Sequence, residues 1–383
     1  MTRVQTTVTA LSMAAMAVST LQQFLLGALG PVLVVELGMV PWQLGALVAS
    51  GFAVATVLSV PVGALVDQIG PRRSLVVLFL LSAVALAVLA VARSPWWVAA
   101  GVALGGVPLA LANPATNKLI RSTVEFAARG AVTGWKQSGV QLGAFVAGAP
   151  LAAAAAVVSW RWGVAVLGML SLLGVWAATR LPVGDPLPAG PTRGSVSGRI
   201  VGLAGFTLVL GLGMAPVNTF LALYGSERLD LAPPVAAWLV ALMGLLGITG
   251  RVTWSRIANR SPDPARVLPR LALGAACAVG LVAAAEVAPW LVWPGAIGLG
   301  IFAVAGYAVA MVAVMHAAPE KVGGRAAALV ATGFFGGFTV GPPIAGLLVQ
   351  IVGYAWMWCA VALAFLAASL VGGTLADPRN TRS

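Results

Sequence analysis

Charge is what this chain most lacks. Only 8% of its 383 residues are Asp, Glu, Lys or Arg, and ten of those are acidic. A water-soluble domain carries about 25% charged residues, and here 60% are hydrophobic, with a mean hydropathy of +0.99. Such a chain has no polar surface to present to water, so a soluble globular protein is excluded. There is one histidine, and there are two cysteines without CxxC spacing. That excludes a disulfide framework and a metal site, and Cys277 and Cys359, inside apolar runs, read as buried packing thiols. No Walker loop, HExxH or GxSxG constellation is present, so neither ATP-driven work nor catalysis is expected, and no catalytic residue, metal or cofactor is assigned. The net charge of +12 does not signal nucleic acid, because the Lys and Arg residues stand singly or in pairs between apolar segments instead of forming one basic face.

What is present is a succession of long apolar stretches. A spanning helix needs about 20 apolar residues, and segments of that kind lie near 10–35, 42–66, 74–92, 96–116, 131–158, 162–180, 200–224, 234–254, 267–286, 290–315, 326–352 and 356–375. The expected fold is an all-α polytopic membrane protein of twelve transmembrane helices. The first stretch, Ala10 to Val35, is longer than the core of a cleavable signal, about 7–15 residues, and is expected to remain as a span.

Positive charge orients the chain. With the N-terminus inside, seventeen Lys and Arg residues fall on the cytoplasmic side and three (Arg93, Arg161, Arg228) on the other. Such an excess marks the cytoplasmic side. Ten of the 13 tryptophans (42, 96, 97, 160, 162, 238, 290, 293, 356 and 358) fall at the opposite helix ends, as an interfacial belt would. The expected location is a cell (inner) membrane with both termini cytoplasmic.

The two halves repeat. Arg129-Gly130-Ala131 opens a Gly-rich segment through Gly148-Ala149-Pro150, and about 195 residues later Arg325-Ala326 opens another through Gly341-Pro342-Pro343. Likewise Gly63-Ala64-Leu65-Val66-Asp67 aligns with Ser255-Arg256-Ile257-Ala258-Asn259 at an offset of 192. This predicts two pseudo-symmetric six-helix bundles, 1–180 and 200–383, joined by a Pro/Gly-rich cytoplasmic linker at 181–199. Parallel repeats of this kind build transporters whose substrate site lies between the halves near the midplane.

Between the second and third spans stands Gly63-Ala64-Leu65-Val66-Asp67-Gln68-Ile69-Gly70-Pro71-Arg72-Arg73. It resembles the G-x-L-x-D-x-x-G-R-[KR] signature of the major facilitator superfamily, with Pro71 displacing the basic pair by one place. The resemblance implies a gating latch of Gly63, Asp67, Gly70, Arg72, Arg73 and Arg129, in which a carboxylate at a helix end meets cations. Asn259 in the second half implies a weaker counterpart. The glycines Gly139 and Gly143, and Gly337 and Gly341, stand four residues apart, a spacing that suits close helix packing, with Gly148 and Pro150 allowing a late bend.

Ionisable residues inside a span are functional candidates, because a Lys or Arg at a helix centre costs about 2.5–3.5 kcal/mol on insertion scales. Lys136 and Arg251 are the two. Arg129-Gly130-Ala131-Val132-Thr133-Gly134-Trp135-Lys136-Gln137-Ser138-Gly139 is similar to the R-G-x-x-x-G-x-K-Q-x-G pattern of bacterial cyanate-permease-like facilitators, which would make Lys136 a cation facing the cavity. The plainer alternative is a lysine snorkelling to the interface. Arg251 resembles the arginine that grips a carboxylate in monocarboxylate-type facilitators, and the plainer alternative is again an interfacial charge. Gln137, Gln141, Asn113 and Gln22 are expected to line the site, as are Gln23, Thr116, Asn117, Asn218 and Thr219. Glu36, Glu286 and His316 fall at helix ends and read as interfacial groups.

With two cations and no mid-span acid, the leading reading is a secondary transporter of a small organic or inorganic anion, working by alternating access and coupled to protons if it imports. Partners are then the substrate anion, protons and the bilayer, with the chain acting as a monomer. Proton-coupled efflux of drugs or neutral metabolites, and a non-transporting sensor, are the competing readings.

Overall fold

In a bilayer every backbone polar group must be satisfied inside the protein, and apolar stretches of about 20 residues, twice the length of a barrel strand, do this as helices. In a computed structural model, which describes residues 3–181, 197–318 and 323–376, they do. The first six segments give α1 (Arg3–Ala28), α2 (Gly30–Leu37), α3 (Pro41–Ala90), α4 (Pro95–Thr123), α5 (Phe126–Val157) and α6 (Trp160–Thr179). The second six give α7 (Gly198–Arg228), α8 (Pro233–Arg260), α9 (Leu268–Ala284), α10 (Val292–Ala317), α11 (Gly323–Val352) and α12 (Tyr354–Ala376). Proline opens α3, α4 and α8, a place where its missing N–H costs nothing. Among the described residues eleven stretches are long and apolar enough to cross a membrane. The 32-residue α5, about 48 Å long at 1.5 Å per residue, makes the twelfth.

Two boundaries differ from the expected spans. The first span breaks at Leu29 into α1 and α2, because Pro31 in the first turn of α2 has no N–H with which to continue the ladder. Spans two and three form one helical run, α3, folded back at Gly70, whose φ of 81° and ψ of 166° lie outside the reach of ordinary L side chains. The displaced proline of the motif follows directly and opens the second limb of α3, where its fixed φ suits a helix start. Of the linker expected at 181–199, residues 182–196 lie outside the described residues, as do Arg193, Lys321, Arg379 and Arg382.

Two six-helix bundles result. In the first, α1 packs on α5, and α3 on α4 and α6; in the second, α7 packs on α11, α10 on α8 and α9, and α12 on α9. The glycine seams serve these pairings. Gly139 and Gly143 press on the backbone of α1 at Met13 and Ala17, and Gly337 and Gly341 on that of α7 at Leu208 and Leu212. A methyl group at any of the four would meet backbone. Gly148 instead faces α8 of the other bundle at Ala237 and Ala241, while Pro150 is exposed.

Burial corrects two further expectations. Cys277 and Cys359 are free and exposed, not buried, because the outside of a helical bundle in lipid is as apolar as its core. Two tryptophans of the supposed belt are core residues: Trp160 is 3% exposed and Trp358 1%. Trp160 donates its indole N–H to Glu36 at 2.6 Å, and Trp358 packs edge-on against Tyr224.

Candidate functional site

The bundles meet along α3–α11, α5–α8 and α1–α7. On the side where the tryptophans cluster the contact is tight. A Cβ at Gly346 would stand 2.6 Å from the Pro41 carbonyl oxygen, and one at Gly244 2.9 Å from the Ala144 methyl. On the opposite side, Gly63, Gly130 and Gly134 have nothing within 4 Å of the same position. The molecule is thus closed toward the tryptophan side.

Midway between lies a cavity of about 80 Å³ that takes its walls from both bundles. Gln23 of α1, Asn113 of α4, and Gln137 and Gln141 of α5 face Asn218 and Thr219 of α7, Arg251 of α8 and Tyr307 of α10 across it. Phe52 of α3 and Phe334, Phe335 and Phe338 of α11 complete it.

Lys136 does not snorkel. It is fully buried, ten residues into α5, and donates from Nζ to Asn117 Oδ1 at 2.7 Å and Asn113 Oδ1 at 3.1 Å. Nor does it stand on the cavity wall: Asn113 lies between it and the cavity, and Gln137 Nε2 donates to that same Asn113 oxygen at 3.3 Å. Arg251 does stand on the wall, partly buried. Its Nη1 donates across the bundle interface to the Gln137 carbonyl oxygen at 3.1 Å, while its Nε is buried without a partner. Lys136, Asn113, Gln137 and Arg251 thus form one polar chain. Among the described residues neither cation has a carboxylate partner: the ion pairs are Lys118–Asp67, Arg161–Glu36, Arg199–Asp263 and Arg228–Glu286.

Gln22 is where sequence reasoning and geometry part. It is fully buried against Gly105 of α4, away from the cavity, and its neighbour Gln23, one residue or about 100° further round the helix, takes the cavity place. Thr116 bonds back to its own helix at Ala112. The aromatic wall was missed altogether. Its one linear trace is Phe334-Phe335-x-x-Phe338 in a segment read only for its glycines.

The gating residues are arranged differently from the latch that the motif implies. Asp67 pairs at 2.9 Å with Lys118 of α4, within its own bundle, and Lys118 also donates to the Asp67 carbonyl oxygen at 3.0 Å. Arg72 and Arg73 are exposed. Arg129 caps α4 through the carbonyls of Arg121 and Val124. The corresponding place in the second bundle holds Asn259, 3.1 Å from His316 of α10. At the tryptophan side Glu36 bonds both Trp160 and Arg161. Burial pushes its carboxyl up, but those bonds and the Arg161 charge outweigh it and hold the group below the usual carboxylate value. Among the described residues no three His, Cys, Asp or Glu gather to hold a metal.

Two helical bundles closed on one side around a central cavity with polar and aromatic walls define a membrane carrier. The family model of the Major Facilitator Superfamily matches residues 11–320, and the chain belongs to that superfamily. It is a transporter and not an enzyme. Its fold is similar to the crystal structure of a bacterial homolog to the human lysosomal transporter Spinster in an inward-facing and occupied conformation, with a TM-score of 0.72 at 13% identity, covering 98% of this chain and 96% of that one. The inward-facing, unoccupied form of the homolog gives 0.70 at 14%, with the same coverage. The nucleoside transporter NupG gives 0.75 at 14%, covering 96% and 100%. Identities this low speak for the fold alone. No curated protein sequence matches the chain.

Proposed function

We propose that this transporter moves a small organic or inorganic anion by alternating access, its bundles (1–180 and 200–383, tethered by 181–199) rocking about the central cavity. One observation carries the reading: two cations, the fully buried Lys136 and the partly buried Arg251, share a polar chain at that cavity with no carboxylate partner among the described residues. A buried charge left unpaired is costly, and a bound anion compensates it. Arg251, on the wall, makes the contact; its planar fork suits a carboxylate or another flat oxyanion. Lys136 sets the orientation of Asn113 from behind and raises the positive potential of the pocket. Cationic drugs are disfavoured, since the described cavity wall has no acid to receive them.

The charge asymmetry of the sequence supports an inner-membrane location with cytoplasmic termini, and a monomer suffices because the cavity is complete within one chain. Importing one negative charge against about 100 mV, interior negative, costs about 2.3 kcal/mol, so import requires a co-transported cation, and Lys136 is the candidate proton carrier. Export runs downhill without one. The test is flux of radiolabelled acetate, cyanate and nitrate in proteoliposomes. Arg251→Gln is expected to lower saturable anion flux at least tenfold, and Lys136→Gln to flatten its pH dependence. Unaltered flux in both variants, or efflux of amphiphilic cations that survives both, overturns the reading.

A further inference from the structure

The cavity is polar on one side only. Around the other side four aromatic rings stand in mutual contact. Tyr307 stacks on Phe334 with centroids 4.3 Å apart and planes 29° apart. Phe334 meets Phe338 at 4.7 Å, and Phe338 meets Phe52, from the other bundle, at 4.6 Å. All four line the same cavity as Arg251. A polar oxyanion such as nitrate has no use for such a wall, and its hydration shell would be stripped against rings that offer no hydrogen bond in return.

Resting on the anion reading above, we propose that the substrate is a carboxylate with a flat apolar body: an aryl carboxylate whose head lies on Arg251 and whose ring enters the Phe52–Tyr307–Phe334–Phe338 wall. Arg251 has the donors for it. One nitrogen is committed to Gln137 and the Nε–H is unused, and a carboxylate takes two parallel donors from a guanidinium. About 80 Å³ is free between the bundles as they stand, less than the roughly 150 Å³ of a cavity that takes up benzene, so the ring enters only as the bundles part. The placement has a mechanical consequence. Phe52 belongs to the first bundle and Tyr307, Phe334 and Phe338 to the second, so a ring between them touches both and its binding depends on their approach. A ring moved from water onto such a wall gains roughly 30-fold in affinity at the usual apolar transfer coefficient.

Equilibrium dialysis of ¹⁴C-benzoate against the purified full-length protein, with unlabelled benzoate, acetate, nitrate and benzamide as competitors, tests this. Benzoate is expected to bind at least tenfold tighter than acetate or nitrate. Phe338→Ala is expected to bring the benzoate-to-acetate ratio within threefold of unity, and Phe338→Leu, which keeps the volume of an apolar side chain, to retain part of it. Acetate or nitrate competing as well as benzoate, or a ratio that survives Phe338→Ala in folded protein, overturns the aryl assignment and leaves the anion reading standing. Benzamide competing as well as benzoate overturns both. Absence of saturable benzoate binding overturns the aryl assignment, and thermal stabilisation by acetate or nitrate then preserves the anion reading.

Discussion

Replacing Gly346 by alanine should open the closed side of the transporter. In α11 the position faces the start of α3 in the other bundle, and a Cβ there would stand 2.6 Å from both the Pro41 carbonyl oxygen and Trp42 Cα. Ordinary contact begins at 3.4 Å, so the helices must retreat by about 0.8 Å, and the neighbours are backbone that cannot rotate away. Overpacking of this kind costs about 1–3 kcal/mol. The cost falls only on the conformation in which α3 and α11 touch, whereas the gain in helix propensity from Gly to Ala falls on both conformations and cancels. The equilibrium between the two access states should therefore move about 5- to 150-fold, at tenfold per 1.4 kcal/mol. The assay is the labelling rate of Thr219→Cys, a cavity residue, by a membrane-impermeant maleimide applied from the tryptophan side. Cys277 and Cys359, both exposed, are first replaced by serine. Gly280→Ala, at a place with open space around it, serves as the control. A Gly346→Ala rate no faster than that of the control would refute the packing argument.

Three further outcomes follow from the same geometry. Arg251→Lys keeps the charge but loses the planar fork, so anion binding measured by dialysis should weaken at least tenfold; full retention would mean that only charge matters there. Lys118→Met removes the bonds to both the Asp67 carboxylate and the Asp67 carbonyl, while Asp67→Asn spares the carbonyl bond, so thermal melting should fall further for the first variant; equal or reversed effects argue against helix-end capping by Lys118. Glu36 is held below the usual carboxylate value in the fold, so its share of stability is complete above about pH 4.5 and fades as pH falls through its lowered value. That share is about 0.2–1 kcal/mol for so accessible a pair, and an acid melting profile steeper in Glu36→Gln than in the parent would contradict it.

How far the linear chain reaches is clearest at particular residues. Lys136 and Arg251 stood out because charge within an apolar run is expensive wherever it points, so their singularity was legible without a structure. That Lys136 stops one asparagine short of the cavity was not, since reach along a 3.6-residue helix depends on where α4 lies beside α5. Gln22 and Gln23 are indistinguishable in composition, yet a rotation of about 100° places one against Gly105 and the other on the cavity. The cysteines misled because an apolar neighbourhood means protein core in water but means either core or lipid in a membrane.

Solvent, crossings and the doubling of the fold were all readable along the linear chain, because apolar length, turn residues and repeated glycines act locally and need no partner to be read. The make-up of the cavity came from helix packing alone. Phe52 and Phe338 lie 286 positions apart and meet at 4.6 Å, and Arg251 reaches Gln137 across the bundle interface. Contacts between distant segments are set by how whole helices pack, and no local pattern encodes which side chains that packing brings face to face.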